Sequence, residues 1–164
     1  MTVRPSVRAL ATRLTAPDVA ADGASPLRHV RTLGRLALGS FLTSAGVGHL
    51  TFARAEFQAQ VPDWVPMDKD AVVLASGAVE VLLGLALVAT PRRHRPLVGW
   101  VAAAFFVAIF PGNISQYVTG TDAFGLESDT ARAVRLLFQP VLVAWALWST
   151  GAWRAFRASG SAGS

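Results

Sequence analysis

The sequence predicts an all-α fold, an integral membrane four-helix bundle with both termini on the cytoplasmic side. Three observations predict it. Of the 164 residues, 52% are hydrophobic and 15% charged, against roughly a quarter charged in soluble domains. Four apolar stretches are each long enough to cross a hydrocarbon core of ~30 Å as a helix. The basic residues, fourteen of the fifteen being Arg, gather at the ends of those stretches instead of along one soluble face.

The chain divides into a basic N-terminal tail, 1–31, a transmembrane domain, 32–150, and a C-terminal tail, 151–164. The first tail carries Arg4, Arg8, Arg13, Arg28 and Arg31 and lacks the apolar run of a signal peptide. It is expected to stay attached, either as an unstructured basic segment or as a short surface helix that places Val3, Val7, Leu10 and Leu14 on one side. The spans follow at about 33–52, 71–90, 97–117 and 131–148. In the first, Ser40, Ser44 and Gly48 recur at four-residue spacing; in the second, Ser76, Gly77 and Gly84 share a face with Glu80. Small residues so spaced let helices approach closely, which turns these faces inward.

Between the first two spans, VPDWVP at 61–66 cannot be regular helix, because Pro62 and Pro66 each restrict the preceding residue. It reads as an interfacial segment held by Trp64. Asp68 and Asp70 open the second span and Ser128 and Asp129 the fourth, where capping oxygens and negative charge meet the positive end of the helix dipole. Pro111 and Pro140, inside the third and fourth spans, are expected to free the carbonyls of Val107 and Leu136.

Orientation follows from charge. The N-terminal region through Arg35, the PRRHRP turn at 91–96 and the C-terminal end hold eleven basic residues against Asp18 and Asp22, whereas the loops at 53–70 and 118–130 hold seven acidic residues against Arg54 and Lys69. The positive-inside rule puts the first three regions in the cytoplasm. Trp100, Trp145, Trp148 and Trp153 then lie near the inner boundary, with Trp64 and Tyr117 near the outer one.

The polar residues within the spans converge. Counting ~1.5 Å per residue, His49, Asn113 and Arg135 fall about one turn below the outer boundary, with Glu80 and Gln139 deeper, at roughly 12–15 Å. An ionised carboxylate at mid-bilayer costs about 2.5–3.5 kcal/mol on insertion scales, so Glu80 calls for a partner or a use. Arg135, a cation of comparable depth, is the expected partner, relayed by Gln139. The other reading is a polar pocket open to the outside, lined by His49, Glu80, Asn113, Arg135 and Gln139, in which Glu80 and His49 are the candidate catalytic groups.

These residues also carry a resemblance. AGVGHLTF at 45–52, EFQAQVPDWVP at 56–66, SGAVEVLLGLALV at 76–88 and FPGNISQY at 110–117 resemble the successive motifs of the DoxX-like family of small four-helix membrane proteins, over about residues 33–150. The resemblance implies the fold and a membrane location. The family takes its name from a subunit associated with a thiosulfate:quinone oxidoreductase, and its relatives are linked to redox partners or small-molecule stress. His49, Pro62, Trp64, Pro66, Gly77, Glu80, Pro111 and Asn113 match the family pattern.

Other chemistries are excluded. With no cysteine, disulfides, thiolate metal sites and thiol redox chemistry are absent. His29 and His94 lie on the opposite side from His49, so His49 cannot share a metal or haem with either; His29 with His94 is open by geometry but reads as two solvated loop residues in basic surroundings, and no metal site is expected. There is no P-loop, dinucleotide fingerprint or nucleophile elbow, and the basicity reads as topology, which argues against nucleic acid. The leading expectation is a membrane subunit binding a small molecule or quinone, or associated with redox partners. A membrane enzyme using Glu80 as acid/base and a purely structural subunit are its rivals. No cofactor is evident from the residues themselves, and quinone is the class the resemblance admits. The partners expected are the lipid bilayer and a redox or membrane-complex subunit, with a homo-oligomer also admitted. The Ala- and Arg-rich composition suits a bacterial plasma membrane.

Overall fold

A computed structural model describes residues 26–161, with side chains described to 158. The elements are α1 (Pro26–Leu50), α2 (Arg54–Gln58), α3 (Lys69–Ala89), a 3-10 turn (Arg92–His94), α4 (Arg95–Thr119), α5 (Asp129–Thr150) and α6 (Ala152–Ser161). No strand occurs among the described residues. The surface helix foreseen around residues 3–14 lies outside them.

Three stretches are long and apolar enough to cross a membrane: α3, the run Arg92–Thr119 that includes α4, and α5. The chain is therefore a helical membrane protein by length and composition. α1 has the length, with 25 residues, but its arginines, glycines and serines lower its hydropathy. It begins at Pro26, inside what the sequence suggested was tail, because proline is favoured in the first turn of a helix, where its missing N–H has no partner to lose. The segment read as a C-terminal tail is helical over Ala152–Ser161, where α6 restarts after Gly151 takes the left-handed conformation (φ 77°) that closes α5.

The helix starts behave as the sequence predicts. Asp68 accepts the Ala71 N–H at 3.0 Å and Ser128 that of Ala131 at 3.2 Å. Residues 61–68 form no helix, and Val65 N–H closes a turn on the Pro62 carbonyl at 3.0 Å.

On α3 the expected face, with Gly77 and Gly84, is the one in contact, while on α1 the face in contact differs from the sequence expectation by one helical step. Ser40 and Ser44 are exposed, and α1 instead meets α3 through Gly39, Thr43 and Gly46. Gly46 lies against the Gly77 carbonyl and Gly39 against that of Gly84. Backbone thus touches backbone along the α1–α3 seam, the close approach that small residues at this spacing allow. Leu38, Leu42, Leu83, Leu87, Ala102, Phe106 and Ala146 form the apolar core beside it. At one end of this core the buried Arg35 of α1 donates to the carbonyls of Leu87 and Val88 (2.9 Å for Val88), the last turn of α3. A cation there satisfies carbonyls that lack a helical partner and complements the negative end of the dipole.

Candidate functional site

The five residues singled out by depth line one cavity of about 710 Å³. It is bounded by the C-terminal half of α1, the N-terminal halves of α3 and α5, the C-terminal half of α4, and the loops joining them. Its position follows from the fold: the α1–α3 seam closes one side, and Pro111 of α4 lines the cavity opposite Gln139 of α5.

Glu80 does not pair with Arg135. Among the described residues no carboxylate lies within ion-pair distance of Arg135, whose Nη2 donates to Gln60 Oε1 at 2.9 Å and whose guanidinium lies 5.2 Å from the centre of the Phe124 ring. Sequence depth placed the two charges in the same region, but depth carries no information on azimuth, and it overlooked a closer group. Glu80 faces His49 across the α1–α3 seam, with Oε2 3.0 Å from Nδ1, and both side chains are almost wholly buried. The pair is imperfect. His49 Nδ1 lies 2.9 Å from the Ala45 carbonyl one turn back in α1, and since a carbonyl only accepts, Nδ1 carries the hydrogen and directs it there. Glu80 Oε2 is left buried without a hydrogen bond among the described residues.

Asn113 and Gln139 do come together. Asn113 Nδ2 donates to Gln139 Oε1 at 2.9 Å, and Gln139 Nε2 donates to the Phe106 carbonyl at 2.5 Å. The carbonyl taken is one residue before Val107, the one the sequence pointed to. Proline at 111 both removes an N–H and crowds the carbonyls of the preceding turn, so a side-chain amide from the facing helix can reach that stretch. A buried glutamine thereby braces α4 against α5.

The mouth of the cavity holds aromatic groups that sequence reasoning missed. Phe57, on α2, stacks on His49 with ring centres 3.3 Å apart and planes 16° from parallel. Phe124 meets Phe57 edge to face at 4.6 Å and lies under Arg135. The stack runs His49, Phe57, Phe124, Arg135, from the buried carboxyl to the cation. Phe124 occupies the left-handed region (φ 57°), unusual for an aromatic residue, and strain of this kind costs about 1–3 kcal/mol, so surrounding contacts must impose it. Its backbone N–H donates to Glu56 Oε2 at 2.6 Å. Below it, buried Arg132 gathers its own loop by donating to Asp122 (2.7 Å), Asp129 (2.8 Å) and the Leu126 carbonyl (2.8 Å). On the other side, Arg54 makes a two-pronged ion pair with Asp70, to which Gln58 also donates at 2.6 Å, tying α2 to the start of α3. The Asp70 pair and Arg132 thus hold Phe57 and Phe124 over the site. No signal in the sequence marks Phe124, because its role rests on a backbone conformation; Phe57 stands within the EFQAQVPDWVP stretch but is apolar, so neither depth nor charge singles it out.

Trp64 and Ser76 also line the cavity. Among the described residues no group of three or more His, Asp or Glu side chains could hold a metal ion. The site is therefore a largely apolar space with a buried carboxyl and imidazole on one wall, a pair of amides on another and a guanidinium at the mouth.

A family model, that of a domain of unknown function, DUF8561, matches residues 38–150. The chain belongs to this family. The matched region spans α3, α4, α5 and all of α1 from Leu38 onward, so every residue lining the polar cavity lies within the DUF8561 domain. No curated protein and no solved structure matches the chain.

Proposed function

We propose that this DUF8561 protein is a membrane-embedded binding subunit. Its ligand is a small lipid-soluble molecule with a polar head, of the quinone class, held between the helices. One observation carries the reading: the cavity of about 710 Å³ is mostly apolar, while the groups converging on it include a buried carboxyl oxygen without a hydrogen-bond donor. Ligand sites have this character, apolar walls with a few placed polar groups. A purely structural subunit would have the space filled by side chains. Quinone carbonyls accept hydrogen bonds, which Asn113, Gln139 and Arg135 can supply, and a reduced quinone donates, which Glu80 can receive. In this reading all four long helices span the bilayer of a bacterial plasma membrane. Both termini are cytoplasmic, so that the cavity opens toward the outer face, and the likeness to DoxX-like proteins extends to association with a redox partner.

The direct test is titration of the purified full chain in detergent with a short-chain quinone, read through quenching of tryptophan fluorescence. Trp64 lines the cavity, so saturable quenching that disappears in Trp64→Phe supports binding there. Glu80→Gln and Asn113→Ala should each weaken it about ten-fold or more, the loss expected when a hydrogen bond to a charged or buried group is removed. Non-saturable quenching, indifferent to all three changes, would sink the reading.

The 3.0 Å approach of Glu80 to His49 favours one second reading, acid/base chemistry on the bound molecule. Glu80→Gln would then abolish turnover while leaving binding nearly intact.

A further inference from the structure

A second concavity, of about 800 Å³, runs along α5 and shares only Gln139 with the polar cavity, and its walls are almost wholly apolar. Val107 of α4 and Leu137, Pro140, Val143 and Leu147 of α5 form its length. From Leu136 to Trp148 the groove follows α5 for about 18 Å, close to the ~15 Å hydrocarbon depth of one leaflet. Its end is different in kind. Arg31 of α1 and Arg154 of α6 both border it, with Trp148 and Trp153 beside them. The Arg31 guanidinium lies 5.9 Å from the centre of the Trp148 ring, and the charge of Arg154 reaches Arg31. Among the described residues neither arginine has a carboxylate within ion-pair distance.

Two like charges side by side at the mouth of an apolar groove repel each other, and an anion relieves the repulsion. Arginine is also the side chain best matched to a phosphate, which it can grip with two parallel N–H groups. Tryptophans at the same level are the residues that favour the headgroup boundary. We infer that this groove is a site for an anionic phospholipid, one acyl chain lying along Leu137, Pro140, Val143 and Leu147 and the phosphate held between Arg31 and Arg154. The inference is independent of the polar cavity. Arg31, Gly151, Trp153 and Arg154 lie outside the 38–150 family match, so the headgroup end is built by segments flanking the DUF8561 domain.

The test is native mass spectrometry of the full chain, titrated in detergent with phosphatidylglycerol and with phosphatidylcholine of identical acyl chains. Phosphatidylglycerol should bind more tightly. Arg31→Gln and Arg154→Gln should each weaken it about five-fold, the worth of one arginine at an anionic headgroup, with the double variant binding the two lipids alike. Arg31→Lys with Arg154→Lys, which keeps the charge, should restore the preference. Ala144→Trp, a bulky change at an exposed groove position, should weaken both lipids. Equal binding of the two lipids by the parent, or a preference untouched by removing both arginines, overturns the inference. So does displacement of phosphatidylglycerol by inorganic phosphate at comparable concentration, which would mark a plain anion site.

Discussion

His49 Nδ1 and Glu80 Oε2 lie 3.0 Å apart across the α1–α3 seam without sharing a hydrogen bond, because the Nδ1 hydrogen is directed at the Ala45 carbonyl. Proximity here is not compensation. A buried ion pair repays its desolvation only when the geometry is good and the remaining lone pairs are satisfied, and Glu80 meets neither condition.

The neutral isostere Glu80→Gln should therefore melt at or above the parent temperature in detergent. A structural pair would instead lose about 3 kcal/mol or more. A double-mutant cycle of Glu80→Gln with Arg135→Gln should show coupling under about 0.5 kcal/mol, since the two side chains make no direct contact. Coupling well above that would mean the carboxyl and guanidinium meet after all.

The aromatic stack predicts restricted access. With no native cysteine, a single Ser76→Cys places one thiol on the cavity wall. Its labelling by a water-soluble maleimide should be slow. Phe124→Ala removes the ring between Phe57 and Arg135, and should speed labelling about ten-fold, the factor that corresponds to ~1.4 kcal/mol of lost closure. Phe57→Ala should act in the same direction. Equal rates in parent and variants would mean that the rings do not close the mouth.

The strap that holds Phe57 is a weaker device. The Arg54 and Asp70 side chains are 39% and 36% exposed, so water screens their ion pair and it adds little to stability. Asp70→Asn should leave the melting temperature nearly unchanged, yet it loosens α2 and should raise Ser76→Cys labelling. High salt should produce part of the same effect in the parent, because exposed pairs are screened. Salt-independent labelling in the parent would argue that the strap does not govern closure.

How much of this was legible in the sequence depends on what each feature rests on. The three long apolar helices, the Asp68 and Ser128 caps and the break at VPDWVP follow from local rules, and the structure reproduces them, whereas α2 and α6 fall in segments that the sequence marks as loop and tail. Depth gathered His49, Glu80, Asn113, Arg135 and Gln139 because rise per residue is fixed, and all five line one cavity. Pairing was not legible. Which side chain meets Glu80 depends on helix rotation, and the seam runs through Gly39, Thr43 and Gly46, whereas the spacing of Ser40, Ser44 and Gly48 points to the neighbouring face. Arg35, read as a topology signal, instead donates to the last carbonyls of α3. Phe124 depends on a positive φ that no composition encodes.

Acid should reach the Asp63–Lys69 contact late. The ammonium of Lys69, which donates to Asp63 at 2.6 Å, holds the Asp63 carboxyl below its ordinary range. A carboxyl depressed in the folded state stabilises at pH above its unfolded value of about 3.9, and that contribution is lost as pH falls through the lower folded value. The pair should therefore stay intact at neutral pH and open only below about pH 4. Carboxyl carbon shifts of Asp63 against pH would check it, and a midpoint at or above the unfolded value would contradict the contact.

The α1–α3 seam gives the sharpest stability prediction. A methyl group at Gly84 would sit 2.6 Å from the Gly39 carbonyl oxygen and against Thr43, and one at Gly77 would sit 2.6 Å from His49 Cβ. Backbone cannot step aside as a flexible side chain can, so Gly84→Ala must push the two helices apart, at a cost of about 1–3 kcal/mol typical of overpacking. Gly77→Ala strikes the same seam beside the His49–Glu80 contact and should in addition alter the polar site. Thermal melts separate the two contributions when read beside ligand binding: Gly84→Ala should lower stability with little change in the site, while Gly77→Ala lowers both. Wild-type melting of Gly84→Ala would mean that α1 and α3 are not in backbone contact, and the wall that holds Glu80 against His49 would lose its support.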